Sequence, residues 1–126
     1  NKGKLPWPVE KGYVTLGYGS QPHPLDKSLT IKSNGVRIAT EKGSKVRAVF
    51  DGEVSAVIKM KNVNPIVMIR HGDYLTLYKN LSHVYVKEGE KVTTKQVVGE
   101  VFTNASNGET ILSFSISLFV IAIFLS

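Results

Sequence analysis

Tight-turn signals divide this chain into short runs of β type. Asn34-Gly35, Asp51-Gly52, His71-Gly72-Asp73 and Glu88-Gly89-Glu90 supply residues that accept tight or left-handed backbone, and Asn104 to Gly108 is a polar loop. The runs between them are Lys11 to Tyr18, Leu29 to Lys32, Val36 to Ala39, Lys45 to Phe50, Gly52 to Lys59, Val63 to Arg70, Tyr74 to Tyr78, Val84 to Val86, Lys91-Val92 and Val97 to Phe102. Turn signals at this spacing predict an all-β antiparallel sandwich or barrel. Pro22, Pro24 and Asp26 mark a loop, as does Asn62 to Pro65. No convincing amphipathic helix is present, and Thr93 to Gln96 reads as a single helical turn.

Two segments echo each other. Gly43-Ser44-Lys45-Val46 leads to Gly52-Glu53-Val54, and Gly89-Glu90-Lys91-Val92 leads to Gly99-Glu100-Val101. Each is a glycine turn, a strand and a Gly-Glu-Val. The pattern is architecture rather than chemistry, and similar half-repeats build barrel-sandwich folds. Ile111 to Leu125 closes the chain with an apolar run rich in Ile, Val and Phe. It is shorter than the roughly 20 residues of a membrane helix and reads as a buried strand, so no integral membrane span is expected.

A length of 126 residues suits one domain with a modest core. Lys and Arg number 16 against 10 Asp and Glu, a formal net charge of +6, which favours anionic partners or serves solubility alone. No arginine-rich helix or RNA-binding aromatic signature accompanies the charge, so nucleic acid is not expected as a partner. The absence of cysteine removes disulfides, thiol catalysis and cysteine zinc sites. The chain opens at Asn1 without Met and reads as a fragment or mature domain, with any targeting segment outside it.

An ordered set of motifs carries a resemblance. Ser33-Asn34-Gly35-Val36-Arg37-Ile38-Ala39 is followed by Val46-Arg47-Ala48-Val49-Phe50-Asp51-Gly52-Glu53-Val54, by His71-Gly72-Asp73-Tyr74-Leu75-Thr76-Leu77-Tyr78, and by Val86-Lys87-Glu88-Gly89-Glu90-Lys91-Val92. Together they resemble the lysostaphin/LytM-type zinc endopeptidase domain, over roughly Lys4 to Phe114 of a single domain. Residues 115–126 read as a divergent or truncated apolar end. The family's charged hairpin and Asn-Pro…Trp ending are absent from the sequence.

The resemblance implies a zinc site built from a His-x-x-x-Asp pair and the second His of a later His-x-His. Three protein ligands leave the fourth zinc position for the attacking water. The first motif falls on Ser33 and Arg37, placing a permanent cation where a dication would sit. The family's Tyr-x-His-Leu falls on Tyr78-Lys79-Asn80-Leu81, and an amide in place of the base histidine shuttles no proton at neutral pH. His-Leu-His falls on Ile111-Leu112-Ser113. No catalytic residue, metal ligand or cofactor is therefore expected.

The Leu5-Pro6-Trp7-Pro8-Val9 opening resembles the degenerate, EnvC-like branch of murein hydrolase activators. That branch implies a non-catalytic regulator of the bacterial cell envelope, periplasmic or exported. Its expected role is to bind and activate a peptidoglycan amidase in cell division or wall remodelling. Ser33, Arg37, Asn80 and Ser113 are the expected partner-binding groove. The alternatives are an active zinc metalloendopeptidase with unrecognised ligands and a plain peptidoglycan-binding module.

The remaining candidates have plainer readings. His23, His71 and His83 read as loop or surface histidines rather than a metal set. Ile58-Lys59-Met60-Lys61 is similar to the Met-Lys-Met hairpin of biotinyl carriers but reads as a basic strand end. Trp7 is expected in the core, and Tyr74 and Tyr78 as packing residues.

Overall fold

The computed structural model describes residues 7–18 and 34–118. They form ten strands: β1 Tyr13–Tyr18, β2 Asn34–Ala39, β3 Lys45–Arg47, β4 Gly52–Met60, β5 Val63–His71, β6 Tyr74–Lys79, β7 Leu81–Val84, β8 Lys91–Val92, β9 Val97–Val101 and β10 Ile111–Leu118. A seven-stranded sheet runs β1-β2-β10-β6-β5-β4-β8, and a three-stranded sheet runs β3-β9-β7. Every strand pairing among the described residues is antiparallel. The expected all-β class is the observed one.

The two half-repeats exchange strands. The first strand of one pairs with the Gly-Glu-Val strand of the other, in both directions. Lys45 opposes Glu100 and Val46 opposes Gly99, while Lys91 opposes Glu53 and Val92 opposes Gly52. The hydrogen bonds repeat too: Val101 N–H donates to Ser44 O at 3.0 Å, and Val54 N–H donates to Glu90 O at 2.8 Å. Each half starts from a turn whose glycine is left-handed, Gly43 at φ 84° and Gly89 at φ 89°. Gly52 and Gly99 serve a different need. A Cβ would lie 2.5 Å from Arg70 O at Gly52 and 2.6 Å from His83 O at Gly99, so only glycine lets these strands approach.

Valine dominates the core between the sheets, because a β-branched side chain fits a pleated, buried surface at little rotamer cost. Val46, Leu81, Val98 and Val101 of the small sheet are buried in one cluster with Ile38, Val54, Val67, Ile69, Tyr78, Leu112 and Phe114 of the large one. Each fully buried aliphatic side chain contributes about 1.5–3 kcal/mol.

Several expectations shift. Trp7 is 49% exposed rather than core, because Pro8 and Val9 take the buried positions; the Trp7 carbonyl accepts Arg47 Nε at 2.9 Å. Thr93 to Gln96 is a hydrogen-bonded turn, Gln96 N–H to Thr93 O at 3.0 Å, with Lys95 left-handed at φ 73°. A helical turn cannot continue through that residue. Asn62 to Pro65 is no loop: Asn62 at φ 66° closes a tight hairpin, and β5 begins at Val63 and runs through Pro65. The strand expected at Val84 to Val86 starts earlier, at Leu81. The run expected from Lys45 to Phe50 ends as a strand at Arg47. Leu29 to Lys32, the Pro22 to Asp26 loop and residues 119–126 lie outside the described residues.

Candidate active-site groove

Of the expected groove residues, Arg37 on β2 and Ser113 on β10 stand in register, with Lys79 of β6 on the other side of Ser113. Alternation along each strand sends one set of side chains to the core and the next to the opposite face. On β2 Ile38 is buried and Arg37 exposed; on β10 Leu112 and Phe114 are buried and Ser113 half-buried; on β6 Tyr78 is buried and Lys79 half-buried. Ser113 pairs with Arg37 on one side and with Lys79 on the other. Arg37, Ser113 and Lys79 therefore form one cross-strand row on the face away from the core. A second row, Gly35, Ser115, Leu77, Met68 and Ala56, crosses five strands beside it.

Asn80 follows β6 at φ 73°, a conformation that asparagine tolerates better than most residues. Its Nδ2 donates to Ile111 O at 2.7 Å, and its Oδ1 accepts Asn64 Nδ2 at 2.7 Å. Its carbonyl accepts the Phe102 N–H at 2.9 Å. The side chain expected to meet a partner is thus bonded at both ends within the fold. Ser33 lies outside the described residues.

The groove row does not fit a divalent cation. At two positions where the resemblance puts zinc ligands, Arg37 offers a guanidinium in place of a carboxylate and Ser113 a hydroxyl in place of an imidazole, and Lys79 adds an ammonium beside them. Among the described residues no group of three His, Cys, Asp or Glu is placed to hold a metal ion.

Beneath the groove runs a polar chain that the sequence did not announce. His71 Nδ1 lies 2.8 Å from the Asp51 carbonyl, which can only accept, so Nδ1 carries hydrogen. His71 Nε2 lies 2.8 Å from Thr76 Oγ1, and Thr76 donates to the Tyr78 hydroxyl at 3.0 Å. Tyr78 also accepts the Val49 N–H at 3.3 Å. Burial pushes the Tyr78 hydroxyl up to about 12, against the opposing pull of its Thr76 and Val49 bonds. His71 is therefore a structural linker between two turns and the core. His83 is exposed on β7, and His23 lies outside the described residues.

Lys79 was missed as a groove residue. Strand alternation carried the signal, because a core Tyr78 obliges its neighbour to face the other way. Asn64 had no such signal, since its contact with Asn80 depends on how β5 packs beside the end of β6.

The strand order and pairings define an antiparallel two-sheet β domain. The model of peptidase family M23 matches residues 31–119, and the chain belongs to that family. A zinc-containing peptidase from Vibrio cholerae is similar in structure, with 26% identity and a TM-score of 0.69. That match covers 90% of this chain and 36% of the other, so this chain spans about a third of that peptidase's length. The SpoIIQ-SpoIIIAH pore-forming complex contains a chain with 28% identity and a TM-score of 0.54, over 62% of this chain and 53% of that one. Lysostaphin shares the fold at 22% identity and a TM-score of 0.62, over 88% of this chain and 46% of its own. Among curated proteins, none matches. Among the described residues no helix is long and apolar enough to cross a membrane.

Proposed function

We propose that this domain is a non-catalytic regulator in the bacterial cell envelope that binds and activates a peptidoglycan amidase. The observation that carries this reading is that Arg37 and Ser113, at two positions where the family resemblance places zinc ligands, pair across β2 and β10, with Lys79 beside Ser113 on β6. Two fixed cations and a hydroxyl suit an acidic or hydrogen-bonding protein segment and repel a metal. The likeness to a chain in the SpoIIQ-SpoIIIAH complex supports a role in assembly for this fold. Amidase control in cell division or wall remodelling, and a periplasmic or exported location, belong to the same proposal.

The test is the affinity of this domain for cell-wall amidases, with and without Arg37→Glu. Charge reversal in the groove weakens binding by tenfold or more on this account. Equal affinity of the two forms, or no amidase binding, contradicts it. A second reading, a peptidase with unrecognised ligands, draws on the likeness to the zinc-containing Vibrio cholerae enzyme. It requires stoichiometric zinc in the purified protein and peptidoglycan cleavage by the domain alone.

A further inference from the structure

The outer face of the small sheet combines an aromatic platform with a basic cleft. Lys45, Glu100 and His83 form a cross-strand row over β3, β9 and β7, on the face opposite buried Val46, Val101 and Leu81. The strand direction continues past β7, because Tyr85 N–H donates to Val98 O at 2.9 Å. Tyr85 therefore stands two residues beyond His83 on the same face. The two ring planes lie within 15° of parallel with centroids 6.5 Å apart. His83 is exposed and Tyr85 is 49% exposed.

Polar groups border these rings. Glu100 Oε1 accepts Lys45 Nζ at 3.0 Å and the Tyr85 hydroxyl at 3.2 Å, and Lys45 Nζ lies 5.9 Å from the Tyr85 ring centroid. Ser82 Oγ lies 3.0 Å from His83 Nδ1. The Lys45 bond holds the Glu100 carboxyl below its ordinary range, so it stays an acceptor at neutral pH. Lys45, ion-paired to Glu100, also lines a cleft of about 390 Å³ with Lys11, Lys42, Arg47 and Lys95, whose lining includes Glu10 and Glu41.

We infer that this face binds an acidic polysaccharide, its pyranose rings against His83 and Tyr85 and its anionic groups in the adjoining basic cleft. The C–H face of a pyranose is weakly positive and packs on the negative face of an aromatic ring. Its edge carries hydroxyls that need both donors and acceptors, which Lys45, Glu100 and Ser82 supply. The excess of cations in the cleft selects a charged glycan over a neutral one. The site lies across the core from the groove and is independent of the amidase proposal.

Calorimetric titration of the whole chain with oligogalacturonate, which carries one carboxylate per ring, tests it. Chitohexaose serves as the neutral probe and inorganic phosphate as the bare anion. Oligogalacturonate binds at least tenfold more tightly than either. Tyr85→Ala and Lys42→Glu each cost about tenfold, Tyr85→Phe retains binding, and Arg37→Glu changes nothing. Matched melting temperatures certify that the variants fold. Absence of oligogalacturonate binding, or binding that Tyr85→Ala leaves intact, overturns the inference. So does phosphate binding as tightly as the oligosaccharide.

Discussion

Asn80 Nδ2 lies 2.7 Å from the Ile111 carbonyl oxygen and ties the end of β6 to the start of β10. These are the strands that carry Lys79 and Ser113 of the groove. The position where the family resemblance puts a base thus holds β6 and β10 together here. Asn80→Ala removes this bond, leaves Asn64 without its acceptor and forces alanine to a left-handed φ. We expect a loss of about 2–4 kcal/mol, read as a lower urea midpoint. A loss under about 0.5 kcal/mol contradicts the structural role.

The strand exchange between the half-repeats makes two classes of glycine distinguishable. Gly52→Ala and Gly99→Ala push a methyl into backbone oxygens at 2.5 and 2.6 Å, so each costs about 2 kcal/mol or more or prevents folding. Gly43→Ala and Gly89→Ala meet nothing within 4 Å and pay only for their positive φ, about 1 kcal/mol. Thermal melts of the four variants check the ordering.

Alkaline pH probes the buried hydroxyl. Tyr78 titrates near 12 in the fold against about 10 in an unfolded chain. Its raised value contributes stability that is fully present below about pH 10 and is lost as pH rises toward 12, on the order of 2–3 kcal/mol in all. Tyr78→Phe flattens stability over that window relative to the parent. Parallel curves for the two proteins contradict the assignment.

Acid probes the turn before β4. Asp51 Oδ1 accepts the Thr94 N–H at 2.7 Å and the Thr94 hydroxyl at 2.9 Å, which holds its carboxyl below the ordinary range. A lowered value contributes stability above the unfolded carboxylate pKa and loses it as pH falls through the folded one. Asp51→Asn therefore gives a shallower acid-side stability slope, measured by denaturation at a series of acid pH values. An unchanged slope contradicts the bond's contribution.

The strands were largely legible because turn glycines and β-branched runs agree locally, as at Asp51-Gly52 and Val63 to Arg70. Even the exchange of half-repeats was foreshadowed by the echo of Lys45-Val46 in Lys91-Val92. Trp7 was misplaced because its place in the entry-strand motif Leu5-Pro6-Trp7-Pro8 pointed to the core, whereas Pro8 and Val9 take the buried positions. Lys95 was unreadable as a left-handed residue, since no lysine pattern signals positive φ. Arg37 and Ser113 were singled out by motif position, and the β2–β10 register sets them opposite one another. The internal bonding of Asn80 depends on Asn64 and Ile111, 16 and 31 residues away, and no local pattern encodes it.

On the proposed function the Arg37–Ser113 face regulates an amidase and does not itself cut peptidoglycan. Dye release from labelled peptidoglycan tests it most directly, with this domain alone, a cognate amidase alone and both together, alongside the zinc content of the domain. The account predicts release above the amidase's own level only with both, no release by the domain alone, and less than stoichiometric zinc. Release by the domain alone with one zinc per chain contradicts it.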